Sequence, residues 1–242
     1  MIKQKICIIN QYGSLVNTGI GRHRFLSKEL ANLGYKVSLI SARWSHVSKD
    51  DELLAPELEE FEDFKFLGIP VIKYKHAHDK KRILNWFYFA FKLLGMGQKL
   101  NEKPDVIIYS SPSLIGYLSA YRLAKKYHAK IFFEVRDIWP LTPIQAGGYS
   151  PKNPFIRFLQ WIEDFAYRKS DQVISLFPYA LEHMVEHGMK PDKFIWIPNG
   201  IHPTELENAE PLNKSVEAAV PKDKFIVGYT GTFGLANNLS SL

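Results

Sequence analysis

Residues 5–41 read KICIINQYGSLVNTGIGRHRFLSKELANLGYKVSLIS, and this stretch decides the fold. The runs at 5–9 and 37–41 are short and apolar, as in buried strands. Between them, apolar residues recur at helical spacing as far as Gly34, which is a natural helix stop. A strand, a helix and a second strand in this order predict two parallel strands joined by a crossover helix.

The rest of the chain repeats this alternation. Further strands are predicted at 65–74 (with a turn inside), 105–110, 130–135, 172–176 and 194–198. Helices are predicted at 82–100, after a cap at Ser111-Pro112, at 154–169 with Trp161 and Phe165 inward, and at 179–187, while 45–63 is read as an irregular insertion. Strands that alternate with helices predict an α/β fold with a doubly wound, mostly parallel Rossmann-like sheet.

The pattern changes after Asn199-Gly200. The segment that follows is polar, contains three prolines and has no clear period, which is typical of a linker. FIVGYTGTFG at 225–234 then restarts the α/β pattern with a buried strand and a glycine-rich turn. We therefore expect a first domain at 1–202, a linker at 203–223 and the start of a second domain at 224–242.

Composition limits the class of protein. The chain is 46% hydrophobic and 23% charged, with a formal net charge of +6, so it is a globular protein that favours anionic partners. A single cysteine, Cys7, excludes an intramolecular disulfide. The apolar stretch at 83–96 is too short to cross a bilayer, and the N-terminus has no secretory pattern. We expect a cytoplasmic protein.

The turn after the first strand has the features of an anion site. Gly19 and Gly21 permit close approach to backbone N–H groups, and Arg22 or Arg24 adds positive charge. The spacing is G-x-G-x-x-R, and no acidic residue ends the second strand, so binding of NAD is disfavoured. The alternative is an ordinary glycine turn followed by solvated arginines.

The sequence EVRDIWP at 134–140 places two charges where the predicted strand at 130–135 ends. Charged groups at such a position lose hydration unless they are paired or used. Asp137 could orient or deprotonate a hydroxyl, Arg136 could hold an anion, and Trp139 could stack on a sugar ring. The alternative is an Arg136–Asp137 ion pair that only closes the loop. Glu134 lies on the opposite side by strand parity and is read as structural.

The histidines give no metal-binding pattern. His23 is read as a polar surface residue beside the glycine turn. His183 and His187 are four residues apart but lack the remaining residues of a metalloprotease helix, so they are read as structural or solvated. No metal is expected.

The helix ILNWFYFAFKLL at 83–94 has two interpretations. It is either a core helix with basic ends or an interfacial helix whose aromatics face anionic lipid. Its aromatic residues run almost around the helix, so more than one face must be covered.

Taken in order, the motifs ELANLGYKVSLIS, EVRDIWP, IWIPNGI and VGYTGTFG resemble glycosyltransferase family 4. More narrowly, they are similar to bacterial members that build O-antigen or capsule sugars. The resemblance implies one half of a GT-B architecture, in which two Rossmann-like domains face each other across a cleft. The N-terminal domain of such enzymes mainly binds acceptor, and the C-terminal domain mainly binds the nucleotide-sugar donor.

The resemblance also implies roles for individual residues. Many relatives have a histidine where this chain has Arg136. The paired glutamates and the basic residue of the donor domain lie beyond position 242 in relatives. The expected catalytic residues are Asp137 and Arg136, the donor or phosphate ligands are Gly19, Gly21, Arg22, Gly231 and Gly234, and the acceptor ligands are Trp139, Ser111 and Asn199.

The function implied is metal-independent sugar transfer with retention, from a nucleotide sugar to a polyprenyl-diphosphate-linked glycan. No cofactor and no nucleic-acid partner are expected. Peripheral contact with an anionic membrane is expected. Without a complete donor domain, the chain is expected to be inactive. The alternatives are a non-catalytic acceptor-binding module or subunit, a GT-B-like sugar-nucleotide epimerase and, last, an NAD-dependent oxidoreductase.

Overall fold

A computed structural model describes residues 4–13, 21–45, 57–61, 64–74, 79–100, 102–200, 211, 213–229, 231 and 239. The chain divides into two compact units, Met1–Asn199 and Gly200–Leu242. Each unit is described by itself below.

The first unit is built on one eight-stranded sheet. Its strand order is β3-β4-β2-β1-β5-β6-β7-β8, and only β3, which pairs with β4, is antiparallel. The strands are β1 (Lys5–Asn10), β2 (Lys36–Ala42), β3 (Leu58–Glu60), β4 (Phe64–Ile69), β5 (Val106–Ser110), β6 (Lys130–Val135), β7 (Gln172–Ser175) and β8 (Phe194–Trp196). The predicted doubly wound α/β sheet is confirmed. Strand β3 lies within the segment that was predicted to be irregular.

Helices connect the parallel strands of the first unit. They are α1 (Arg22–Asn32), α2 (Lys81–Met96), α3 (Ile115–Tyr127), α4 (Leu141–Gln145), α5 (Pro154–Lys169) and α6 (Leu181–Glu186). The start of α5 shows how local sequence sets a boundary. Asn153 Oδ1 accepts hydrogen bonds from the backbone N–H groups of Phe155 and Ile156, and Pro154 occupies the first helical position. None of the described helices is long and apolar enough to cross a membrane.

Strand residues bury their side chains alternately on the two faces of the sheet. Ile8 and Leu39 belong to a smaller core on the face that α1 covers. Ile9 and Ile40 belong to a larger core on the opposite face, which α2, α3 and α5 cover. Because both faces are covered, the strands are continuously apolar rather than alternating.

Two details of the helices differ from the sequence prediction. Helix α3 begins at Ile115, and Ser111 does not cap it; the Ser111 hydroxyl instead accepts a hydrogen bond from the backbone N–H of Arg136. Trp161 is 50% exposed rather than inward, and Phe165 is half-buried against the core. The buried stripe of α5 runs through residues such as Leu159 and Ile162, so the position of Trp161 falls outside it.

The described residues of the second unit contain one short α-helix, α7 (Lys214–Ala219), whose first turn is capped by Asn213. Residues 225–229 form no strand, and Phe225 is 94% exposed, so the predicted buried strand is wrong for this described stretch. A strand needs a partner for its backbone hydrogen bonds, and no strand is assigned among the described residues of this unit. The predicted linker, 203–223, and the predicted start of a second domain, 224–242, both belong to this second unit. Residues 203–210, 212, 230, 232–238 and 240–242 of these segments lie outside the described residues.

Candidate functional site

The polar loops that follow the strands lie at the carboxyl ends of the strands, and the strand order reverses at β1 in the middle of the sheet. Strand β1 is flanked by β2 on one side and by β5 on the other, so consecutive connections diverge from this point. In open α/β sheets, ligands bind in the crevice at the carboxyl ends of the strands beside such a reversal. The residues that follow β1, β5, β6 and β8 are therefore the candidates for a site.

A cavity of about 260 Å³ opens at these strand ends. It brings together three residues that were predicted from two separate stretches of sequence: Arg136 and Asp137 from one, and Asn199 from the other. Its full lining is Tyr12, Arg82, Pro112, Arg136, Asp137, Leu176 and Asn199. The cavity thus contains two guanidinium groups and one carboxylate.

Asp137 is exposed at the rim of this cavity. Partial burial raises the pKa of its carboxyl above the ordinary value, while the nearby charges of Arg136 and Arg82 act in the opposite direction. A carboxylate whose pKa is raised accepts a proton from a hydroxyl more readily than an ordinary aspartate does.

The loop that carries Arg136 and Asp137 is held by Ser111. The Ser111 hydroxyl oxygen accepts hydrogen bonds from the backbone N–H of Arg136 at 2.9 Å and of Asp137 at 3.4 Å. The Nε atom of Arg136 is buried, and no described residue accepts a hydrogen bond from it. Burial lowers the pKa of this guanidinium, which still leaves it charged. Arg136 therefore brings a positive charge to the cavity wall, and Ser111 positions the loop from behind.

Aromatic residues and Arg82 form one wall of the site. The indole Nε1 of Trp86 donates to the Tyr12 hydroxyl at 2.7 Å, and Nε of Arg82 donates to the same oxygen at 3.3 Å. The Arg82 guanidinium lies 5.3 Å from the centre of the Trp86 ring. Trp139 packs edge-on against Trp86, with ring centroids 5.4 Å apart. Trp139 is half-buried there, and its stacking on a sugar stays a prediction.

Beneath the rim, Glu134 is the centre of a buried polar network. Its carboxylate accepts hydrogen bonds from Nε of Arg22 at 3.0 Å, from the Ser110 hydroxyl at 2.5 Å and from Nε2 of His23 at 3.0 Å. Burial alone would raise the pKa of Glu134, but the hydrogen bond from His23, the charge of His23 when that ring is protonated, the charge of Arg22 and the hydrogen bond from Ser110 lower it to about 2.

His23 is part of this network and is 3% exposed, so its assignment as a surface residue is wrong. Burial lowers the pKa of the imidazole below its ordinary value. We assign a neutral ring with the proton on Nε2, because this tautomer donates to the Glu134 carboxylate. Arg22 and His23 are the first two residues of α1, and both side chains reach Glu134 from its first turn.

Arg22 also contacts the segment that ends the first unit. Its Nη1 donates to the Pro198 carbonyl oxygen at 2.9 Å and to Asn199 Oδ1 at 3.4 Å, and its Nη2 donates to the Ile197 carbonyl oxygen at 3.3 Å. The guanidinium predicted to hold a phosphate therefore already has a carboxylate and three further oxygens as partners. Its role toward a donor phosphate stays a prediction.

Of the predicted glycines, only Gly21 and Gly231 are described. Gly21 directly precedes α1, and a Cβ there would lie 2.7 Å from the Phe25 ring, so the position has little room for a side chain. Gly19 and Gly234 lie outside the described residues. The proposed roles of all four toward phosphate remain predictions.

Sequence reasoning missed several residues of this site. Asn10 Nδ2 donates to the carbonyl oxygens of Ser110 and Ser111, at 3.2 and 3.1 Å, and so ties the end of β1 to the end of β5. The position of Asn10 at the end of an apolar run was a sufficient signal for it. Tyr12 and Arg82 had no such signal, because only the fold brings α2 beside the first loop.

Comparisons with known proteins agree with the fold. The family model described as Glycosyltransferase Family 4 matches residues 19–205. No curated protein sequence matches the chain. Among solved structures, the fold is similar to sucrose-phosphate synthase from Thermosynechococcus elongatus, with a TM-score of 0.62 and 15% identity over 91% of this chain and 54% of that one. It is also similar to Arabidopsis thaliana UGT89C1 complexed with UDP, with a TM-score of 0.52 and 14% identity over 90% of this chain and 54% of that one. The chain thus spans about half the length of these two structures.

Proposed function

The chain belongs to glycosyltransferase family 4, and on that basis we propose that it is the acceptor-side part of a retaining glycosyltransferase. The enzyme would transfer a sugar from a nucleotide-sugar donor to a hydroxyl of a polyprenyl-diphosphate-linked glycan. The observation that carries the proposal is Asp137, a carboxylate with a raised pKa beside Arg136 and Arg82 in the cavity at the strand-order reversal.

The charges of the cavity suit an anionic acceptor. Two guanidinium groups face one carboxylate, and the excess positive charge favours a diphosphate next to the sugar that reacts. Asp137 would orient the acceptor hydroxyl and accept its proton. The hydroxyl oxygen then forms a bond to the anomeric carbon of the donor, the bond from that carbon to the diphosphate breaks, and the nucleoside diphosphate leaves.

Groups that stabilise the departing diphosphate belong, in this proposal, to a complete donor domain. The second unit supplies little of it among the described residues, where α7 is the one α-helix. We propose that basic side chains rather than a metal ion neutralise the diphosphate during transfer.

We expect the 242-residue chain alone to show no sugar transfer above background. A protein that pairs it with a complete donor domain should release nucleoside diphosphate from one member of a panel of nucleotide sugars, and only when a lipid extract supplies acceptor. The measurement is nucleoside diphosphate release with and without that extract. Release without acceptor would favour the epimerase alternative, and transfer by the short chain at the full rate would contradict the proposed division of labour.

The outer surface of the first unit supports a membrane-bound acceptor. We define its aromatic face as Leu84, Phe87, Phe91, Phe158 and Trp161, which come from α2 and α5. Phe91 is 71% exposed, and the rings of Phe87, Phe158 and Trp161 stack in a row with centroid distances of 6.2 and 6.1 Å. An exposed apolar patch of this kind is typical of an interaction site.

Charge distinguishes a lipid surface from other partners of the aromatic face. Helix α2 contains no acidic residue, and the exposed cations Lys92 on α2 and Arg157 on α5 lie on the two helices that form this face. Aromatic side chains with a rim of cations are typical of binding to anionic bilayers. Helix α2 carries Arg82 into the cavity and Phe91 on the aromatic face, so one helix links the site to the proposed membrane. The buried side of this helix confirms the core interpretation, and the interfacial interpretation of its exposed side is part of this proposal.

We expect the chain to float with anionic liposomes at low salt and to bind less at high salt, because exposed charges are screened. The double variant Phe91→Ser/Trp161→Ser should lower the bound fraction at least about tenfold, since it removes two large apolar side chains from the interface. Tyr179→Ser is the matched control, because Tyr179 is an exposed aromatic outside the aromatic face. Equal flotation of all three proteins, or none at low salt, would exclude this surface as the membrane contact.

A further inference from the structure

Helices α5 and α6 bring together four side chains of the kinds that bind transition metals. Glu163 and Asp164 lie on α5, His183 lies on α6, and His187 follows its last turn. One ligand atom from each of Glu163, Asp164 and His187 lies within 4.8 Å of the others. Nδ1 of His187 is 2.9 Å from Oδ1 of Asp164, and Nε2 of His183 is 3.5 Å from Oε1 of Glu163.

The amide of Gln160 occupies the centre of this cluster. Its Nε2 atom lies 2.7 Å from Glu163 Oε2, 2.8 Å from Asp164 Oδ1 and 2.9 Å from His187 Nδ1. An amide nitrogen has two hydrogens, and a neutral imidazole carries one on only one of its nitrogens. Together with the 2.9 Å contact between His187 Nδ1 and Asp164 Oδ1, there are four close contacts. The amide supplies two hydrogens and His187 Nδ1 at most one, so at least one of the four contacts has no hydrogen between its atoms. A cation at the same point would satisfy all three lone pairs.

His183 provides a second and independent observation. Its Nε2 atom is buried, and it makes no hydrogen bond to any described residue despite its proximity to Glu163. A buried ring nitrogen without a partner loses hydration without compensation. Its ring centroid is 4.5 Å from that of His187, so both imidazoles lie on the side of α6 that faces α5.

We propose that Glu163, Asp164, His183 and His187 form a binding site for a divalent transition metal of the zinc class. Two imidazoles with two carboxylates match the ligand preferences of Zn²⁺, whereas Mg²⁺ and Ca²⁺ require oxygen ligands throughout. Ligand atoms of a tetrahedral zinc ion at about 2.0–2.1 Å from the metal lie about 3.3 Å from each other. The ligand atoms of Glu163, Asp164 and His187 lie within 4.8 Å of one another, so in this proposal they close to that spacing by side-chain rotation, the Gln160 amide is displaced, and His183 rotates toward them as the fourth ligand.

The site is separate from the reaction proposed above. None of its residues lines the cavity that contains Asp137. Glu163 also accepts a hydrogen bond from the buried Tyr167 hydroxyl at 2.8 Å, which fixes one carboxylate oxygen in place. A bound ion would join α5 to α6 and hold the crossover that follows β7. Its effect is therefore on stability rather than on chemistry.

The test uses the 242-residue chain without a polyhistidine tag and ZnCl₂ as the probe. Titration calorimetry should give one bound Zn²⁺ per chain. Free zinc at about 100 times the dissociation constant should raise the melting temperature by about 5–10 °C. MgCl₂ at the same concentration should leave it unchanged.

His187→Ala and Asp164→Ala should each weaken zinc binding at least about tenfold, since loss of even an outer-shell partner has that effect. His128→Asn is the matched control, because His128 is an exposed histidine outside the cluster in a left-handed conformation that asparagine tolerates. Its affinity should equal that of the wild type. Circular dichroism identifies any variant that does not fold. Two ligand variants are used so that the test can still be made if one of them does not fold. No stoichiometric binding by the wild type, or unchanged affinity in the folded ligand variants, overturns the proposal.

Discussion

Asp137→Asn should lower turnover at least about 100-fold, in a protein that pairs this chain with a complete donor domain. Asparagine keeps the shape of the side chain but cannot accept the hydroxyl proton. The expected pattern is a fall in kcat with little change in the KM for the donor, because the donor contacts other residues. Steady-state kinetics measure both constants, and circular dichroism confirms the fold.

The pH profile of the same enzyme gives a second measurement. Because partial burial raises the pKa of Asp137, the wild-type rate should fall as the pH decreases through that raised value and the base becomes protonated. The variant should lose this dependence. Asp192→Asn is the control, since Asp192 is an exposed carboxylate away from the cavity. A folded Asp137→Asn variant with unchanged turnover would reduce Asp137 to the ion pair that closes its loop.

Glu134→Ala has the largest expected effect on stability. Glu134 is 1% exposed, and its removal leaves the guanidinium of Arg22 and the imidazole of His23 buried without their carboxylate. Loss of one partner of a buried ion pair costs about 3–5 kcal/mol. The melting temperature should therefore fall by about 10 °C. Glu134→Gln, which preserves shape and one acceptor oxygen, should cost less. A loss below about 1 kcal/mol for Glu134→Ala in urea unfolding would contradict the network.

The stability contributed by Glu134 should depend on pH. Its pKa is about 2 in the folded chain and ordinarily 4.5, so this contribution is complete above about pH 4.5 and is lost as the pH falls toward 2. The pKa of His23 is lowered by burial, so protonation of this ring at acidic pH also favours unfolding. The other charged groups that face Glu134 and His23 are Arg22 and Arg136. Urea midpoints of wild type and Glu134→Ala, measured from pH 7 down to pH 3, should move progressively closer together as the pH falls below about 4.5.

The sheet was predictable because its signal is local. Apolar runs such as those of β1 and β2 are continuous, and a helical period separates them, so the strands, their parallel pairing and the edge that carries the loops follow from the chain alone. The charges of Arg136 and Asp137 were recognisable for the same reason. They follow a buried strand directly, where an unpaired charge is costly.

The parts that escaped prediction depend on contacts between distant segments. Arg82 reaches the cavity only because α2 packs beside Tyr12, 70 residues away in sequence. His23 looked like a surface residue because its partner Glu134 lies 111 positions later. Trp161 was expected on the inner side of an amphipathic helix, but α5 buries a different stripe of residues. Periodicity identifies a helix more reliably than it identifies which large side chain remains outside.

The central claim is that the cavity around Asp137 binds the acceptor, and a titration of the 242-residue chain tests it most directly. The probe is a water-soluble, short-chain polyprenyl-diphosphate hexose, with UDP as the comparison ligand. Arg82→Ala and Asp137→Asn should each weaken binding of the lipid-linked sugar about tenfold, because each removes a charged hydrogen-bonding group from the cavity. UDP should bind none of the three proteins, because the groups that bind it belong to the complete donor domain. Equal affinity for the lipid-linked sugar in all three proteins would contradict the assignment.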